Sequence, residues 1–193
     1  MSLFQTLKPK PKSTNSSTCL LLDVSGSMDM RIARSFDEIG EDGLDPRRID
    51  QMFKVVRETP ECQGIPAYTF SVTCDRLEVI PLESDTFRTQ SSTDLANAFR
   101  TLKLAGFFSA ILVTDGEPDS ESRALEEAQG MKLGIIYIGN PPVPHFLERL
   151  ATATDGTFAL ADMRDTKQLE EALIKALPAP EGDAVTLNGA IEL

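Results

Sequence analysis

The amino-acid sequence predicts an α/β fold: a doubly wound, mostly parallel six-stranded sheet with one antiparallel edge strand and helices on both faces. Three observations lead there. Strand-like apolar runs alternate with segments of helical periodicity, the pattern of a parallel sheet with crossover helices. The first run, "LLL" at 20–22, is continuous rather than alternating, which suits a strand covered on both faces. Two later strand candidates are separated only by "TCDR", 73–76, too short for a parallel crossover, so they form a hairpin.

Each element has its own justification. The first strand covers 18–24 and ends in polar residues. Residues 29–45 carry both charges, contain Gly40 and Gly43, match no periodic template, and read as a long loop. Asp45 and Pro46 make an N-cap and first-turn pair, after which Ile49, Met52, Phe53 and Val56 follow helical spacing. Strands at 67–72 and 77–81 form the hairpin. Leu95, Ala98, Phe99 and Leu102 mark the next helix, and 109–114 the next strand. A helix over 121–129 stops at Gly130, where a left-handed residue ends it. A strand at 133–138, a helix at 144–153 and a strand at 157–160 follow. The last helix carries Leu169, Ala172, Leu173 and Ala176 behind Asp165-x-x-Gln168, which resembles a capping box.

Flanking these elements, residues 1–17 hold three lysines, two prolines and no acid, an extended arm, and 178–193 form a Pro-led acidic tail. The domain is therefore expected at 18–177. A chain of 193 residues, 41% hydrophobic and 25% charged, can bury a sufficient core without staples. Its net charge of −11 opposes attraction to nucleic acid or anionic lipid and directs attention to proteins and cations. Three cysteines without CxxC spacing argue against a disulfide framework or zinc site. No apolar run is long enough for a membrane span or a signal peptide, so a cytoplasmic location is expected.

Chemistry gathers at the strand ends. In "LLLDVSGSMD" an aspartate, Asp23, closes the first strand and is followed by Ser25 and Ser27. In "ILVTDGEPD" a second acid, Asp115, closes another. In an open α/β sheet both arrive at the carboxyl edge, where ligands bind. Thr93, in "SSTDLANAF", stands at a helix start, where a hydroxyl is often only a cap. Two carboxylates and three hydroxyls make an all-oxygen set suited to a hard cation: Mg²⁺ first, with Mn²⁺ and Ca²⁺ chemically admissible and Zn²⁺ disfavoured.

These residues resemble the von Willebrand factor A family. "DVSGS" matches its DxSxS signature, and Thr93 and the "TDG" at Asp115 follow in the order of that family's metal-ion-dependent adhesion site. The resemblance runs from about residue 18 to 177 and takes in "IIYIGN" and "LERLATATDGTFAL". It implies a Rossmann-like sheet with Ser25, Ser27 and Thr93 as hydroxyl ligands, and Asp23 and Asp115 binding the ion directly or through water. It also implies a partner protein that donates a Glu or Asp to the vacant coordination position, and, in the cytoplasm, service to large assemblies or to AAA+ ATPases of the MoxR type. The 29–45 segment is longer than the family's usual link. Its charges, Asp29, Arg31, Arg34, Asp37, Glu38, Glu41 and Asp42, suit a specificity rim, with Asp29, Arg31 and Arg34 the candidate partner contacts.

Two other readings stand beside this one. A Mg²⁺-dependent phosphohydrolase would use Asp23 as nucleophile, but the position of the usual second acid is Ser25. A serine hydrolase lacks both GxSxG and a base, since the single histidine, His145, lies in "NPPVPHF". A metal-independent structural or scaffold role is the other alternative.

Overall fold

The computed structural model describes residues 18–32, 45–82, 89 and 91–178. Within them lie six strands, β1 (Thr18–Asp23), β2 (Ala67–Phe70), β3 (Cys74–Leu77), β4 (Ser109–Thr114), β5 (Lys132–Tyr137) and β6 (Thr157–Leu160). The helices are α1 (Arg48–Glu58), α2 (Leu95–Leu104), α3 (Glu121–Glu127), α4 (His145–Ala153) and α5 (Thr166–Ala176). The strands form one sheet in the order β3-β2-β1-β4-β5-β6, parallel throughout except for the antiparallel β2–β3 pair at one edge. The expected fold class is the observed one.

The three leucines explain the layering. Side chains alternate across a strand, so Leu20 and Leu22 join Val56, Ile111, Val113 and Leu173 in the layer under α1 and α5. Leu21 points the other way, to Phe99, Leu112, Ile135 and Leu147 under α2 and α4. All three are at most 1% exposed, and burying each contributes roughly 1.5–3 kcal/mol. The sheet is thus clamped between two apolar layers, and polar side chains collect at its rim.

The chain enters at β1 in the middle of the sheet, builds outward to β3, then returns to build β4 to β6 on the other side. That reversal places a crevice between the carboxyl ends of β1 and β4.

Several element ends fall one or two residues from expectation, and two differences have a physical reason. The outer hairpin strand is Cys74–Leu77, not 77–81, with Ala67 opposite Leu77 and Phe70 opposite Cys74. The apolar stretch "LEVIP" drew the strand downstream. An edge strand tolerates exposed charges such as Asp75 and Arg76, so the polar "TCDR" was mistaken for the turn. Likewise α1 starts at Arg48, with Arg47 in the N-cap position, and Asp45 does not cap it. The residue before a proline is driven to extended backbone, and here 45–47 runs alongside 30–32: Arg31 and Arg47 form an antiparallel bridge, and Ile32 donates its N–H to the Pro46 carbonyl at 2.9 Å.

The remaining helices follow their signals. Gly130, at φ +78°, ends the turn after α3, and Asp165 caps α5 by accepting the Lys167 N–H at 3.1 Å. Cys19, Cys62 and Cys74 are free thiols. Among the described residues no helix is long and apolar enough to cross a membrane. The arm, all of the tail beyond Pro178, and most of the 29–45 segment lie outside the described residues.

A close approach tests this packing. A Cβ at Gly156 would come within 1.9 Å of the Leu133 backbone oxygen, so α4 and β6 are joined where only glycine fits. Gly156→Ala is expected to lower unfolding free energy by at least about 2 kcal/mol. Urea denaturation checks it, and an unchanged midpoint would contradict the packing described.

Candidate metal centre

Asp23 is the last residue of β1. The parallel register sets Leu22 opposite Val113, which brings the next residues, Asp23 and Thr114, level at the sheet end. The Thr114 hydroxyl donates to Asp23 Oδ2 at 2.6 Å, and the Ser25 N–H donates to Oδ1 at 2.8 Å. The carboxyl group is fully buried. Ser25 has extended backbone, and the 3-10 turn Gly26–Asp29 then folds Ser27 back toward it. The two hydroxyls stand 3.1 Å apart, and Ser27 Oγ donates to Asp115 Oδ1 at 2.6 Å. Four of the five expected site residues therefore lie on one continuous hydrogen-bonded chain across the β1–β4 crevice.

Thr93 arrives by another route. Asp94 donates its N–H to the Ser71 carbonyl, just past β2, at 2.8 Å. Thr93 exchanges backbone bonds with Asp119 beyond β4, donating its N–H to the carboxylate at 3.0 Å and accepting the Asp119 N–H at 3.1 Å. Its side chain is buried, yet its hydroxyl has no hydrogen-bond partner among the described residues. Capping α2 falls instead to Asp94, which accepts the Asn97 N–H at 2.9 Å. Thr93 thus reaches the same edge of the sheet without bonding to the other four residues, and its hydroxyl is not used as a cap.

Sequence reasoning missed Thr114 and Arg48. Arg48, in the first turn of α1, donates from Nη1 to Asp115 Oδ2 at 2.6 Å, with the carboxylate fully buried and the arginine side chain 8% exposed. A signal was present. A cation at a helix N-terminus opposes the helix dipole and needs an acid nearby. Of the rim candidates, Asp29 pairs with Arg47 at 3.0 Å and is half exposed, while Arg31 is exposed and donates to the Asp45 carbonyl. Arg34, with Asp37, Glu38, Glu41 and Asp42, lies outside the described residues. Arg31 and Arg48 also line a cleft of about 510 Å³ shared with the turns after β5 and β6. At Gly139 in that region, a Cβ would come within 2.6 Å of the Asp115 carbonyl, so glycine lets the β5 exit lie against the site.

No family model matches the chain, and no curated protein sequence matches it. Solved structures do. The SpRpn10 VWA domain aligns with a TM-score of 0.53 at 11% identity, covering 82% of this chain and 93% of that one. A von Willebrand factor type A protein from Catenulispora acidiphila aligns with a TM-score of 0.56 at 16% identity, over 82% of this chain. This chain spans 41% of the length of that second protein. The fold is that of a von Willebrand factor A domain.

Whether the candidate site suits a cation is decided by its oxygens. In an octahedral shell with bonds of roughly 2.0–2.1 Å, neighbouring ligand oxygens lie about 2.9 Å apart. The Ser25–Ser27 and Ser27–Asp115 separations, 3.1 and 2.6 Å, bracket that edge. Among the described residues no group of three histidine, cysteine or carboxylate side chains assembles anywhere, this crevice included, so its two carboxylates rely on hydroxyls for further donors. The donor set fits a hard ion, with hydroxyls in the majority.

Burial pushes the Asp23 carboxyl up to about 6, against the hydrogen bonds from Thr114 and Ser25 that favour its charged form. The folded protein then keeps this proton until about pH 6, whereas an unfolded chain releases it near 3.8. Stability from this group is present below pH 4 and lost as pH rises through 6, about 3 kcal/mol in all. With metal chelated, Asp23→Asn is therefore expected to raise the urea midpoint at pH 7, with the gain vanishing at pH 4. A loss of stability at pH 7 would contradict the assignment.

Proposed function

We propose that this chain is a non-enzymatic protein-interaction module in which Asp23, Ser25, Ser27, Thr93 and Asp115 hold a divalent cation, Mg²⁺ before Mn²⁺ or Ca²⁺. A Glu or Asp of a partner protein completes the shell. The observation that carries this reading is the run of Ser25, Ser27 and Asp115 oxygens at octahedral spacing over the β1–β4 crevice. The hydroxyls add no charge and Arg48 already offsets Asp115, so a further carboxylate gains a bond and charge compensation together. The resemblance to von Willebrand factor A domains supports the same mode of binding. Asp29 and Arg31, with Arg34 in the adjoining segment, supply a charged rim for choosing the partner. A cytoplasmic assembly or a MoxR-type AAA+ ATPase fits the class of partner. The acidic net charge favours neither nucleic acid nor membrane.

Enzymatic readings fare worse on geometry. As a phosphohydrolase nucleophile Asp23 would have to attack from a fully buried side chain with both oxygens already hydrogen-bonded. His145, the sole imidazole, is 97% exposed at the start of α4 and faces Glu148.

The test is affinity capture from lysate in Mg²⁺ against EDTA, with partners read by mass spectrometry, then calorimetry with the partner found. Thr93→Ala is expected to weaken binding about tenfold without lowering stability, because water replaces one neutral ligand. Chelation should abolish binding. Asp115→Ala is a poor probe, since it strands the buried Arg48 charge and is expected to cost about 3–5 kcal/mol of stability. Asp115→Asn with a melting control takes its place. Equal binding in Mg²⁺ and EDTA would refute metal dependence.

A further inference from the structure

We propose that Arg48 is a resident counter-cation of this site, one that sets how tightly a divalent ion is held and keeps that affinity low until a partner carboxylate arrives. The inference rests on the reading of Asp23, Ser25, Ser27, Thr93 and Asp115 as an ion site. It adds a sixth residue that binds no ion and acts through Asp115.

The geometry is specific. Arg48 Nη1 sits on Asp115 Oδ2, while Asp115 Oδ1 accepts from Ser27. Guanidinium and ion would thus draw on one carboxylate from its two sides. The pair is buried, so salt screens it little. Its position is also held: the Arg48 N–H donates to the Met30 carbonyl at 3.1 Å, tying the start of α1 to the chain leaving the serine turn. Neighbouring Arg47 is committed elsewhere, to Asp29 and Asp50. Among the described residues, Arg48 is the basic side chain that reaches the carboxylates of the crevice.

Charge decides the consequence. With Asp23 and Asp115 ionised and no Arg48, the two acids would neutralise a divalent ion by themselves. With Arg48 present, a full positive charge remains after the ion enters, and the carboxylate that cancels it must come from outside. Arg48 therefore weakens the resting ion and strengthens the demand for an acidic partner. A purely structural arginine would not do this, and the difference is measurable.

The probe is Mn²⁺ alone, titrated into the full chain and followed by electron paramagnetic resonance of the free ion. Arg48→Gln is expected to bind Mn²⁺ at least tenfold more tightly than wild type, whereas Arg48→Lys, which keeps the charge, should stay within a few-fold of wild type. If the Gln variant does not fold, Arg48→Met offers a neutral side chain better suited to burial. The wild-type affinity stands as a test by itself: a dissociation constant weaker than about 10 µM agrees with the proposal and a tighter one overturns it. Equal, measurable affinity in wild type and Gln variant overturns the role of Arg48 and leaves the ion site standing. Silence from both overturns the ion site and the proposal with it. Binding by the Gln variant where wild type shows none supports the proposal in its strongest form, with Arg48 standing in for the ion.

Discussion

Everything at the carboxyl edge follows from one constraint: the order of strand addition reverses between the parallel strands β1 and β4, and an acid stands at the carboxyl end of each. Two carboxylates held this close, both cut off from solvent, repel one another and lose hydration. The surrounding structure answers each differently. Asp23 is met only by neutral donors, the Thr114 hydroxyl and the Ser25 N–H, and its carboxyl remains hard to ionise. Asp115 is met by a full charge from Arg48 and a hydroxyl from Ser27. The asymmetry leaves Asp115 paired with a fixed charge and Asp23 with neutral partners only.

This constraint also explains why hydroxyls dominate the site. Further carboxylates would raise the repulsion and the cost of folding, whereas Ser25 and Ser27 bring oxygen donors that hydrogen-bond to each other and to Asp115 in the meantime. Their cohesion comes from the 3-10 turn of four residues that follows Ser25, so the chain itself sets the arrangement. Thr93 stands apart from that chain, held by its backbone to Asp119, and its hydroxyl has no hydrogen-bond partner among the described residues.

The sequence announced the parts of this design that are carried by pattern. Continuous apolar strands ending in polar residues located the sheet, its carboxyl edge, Asp23 and Asp115, because burial on both faces leaves no other reading for "LLLD" and "ILVTD". The edge strand was misplaced because its residues, Asp75 and Arg76, are chosen for solvent rather than for burial. For Arg48 only half the pair was legible: its place at a helix start calls for an acid nearby, but that acid lies 67 positions away, and neither helical periodicity nor a local motif identifies it. Thr114 shares this character: its neighbour in "TDG" draws the eye, while its own hydroxyl serves an acid on another strand.

The boundary of α1 shows how much hangs on such tertiary detail. Successive residues of a helix point about 100° apart, so the helix start decides which of the adjacent arginines turns inward. An α1 capped by Asp45 would have carried helical geometry back through Pro46 and dissolved the bridge between Arg31 and Arg47. With 45–47 held extended against 30–32, the helix begins two residues later than a Pro46 start, Arg47 stays at the rim with Asp29 and Asp50, and Arg48 reaches Asp115. The long segment between the serine turn and α1 is therefore closed at its base by the contacts that aim Arg48. The partly exposed pairs of Arg47 with Asp29 and Asp50 and the buried pair of Arg48 with Asp115 are thus set by two adjoining residues at the start of α1.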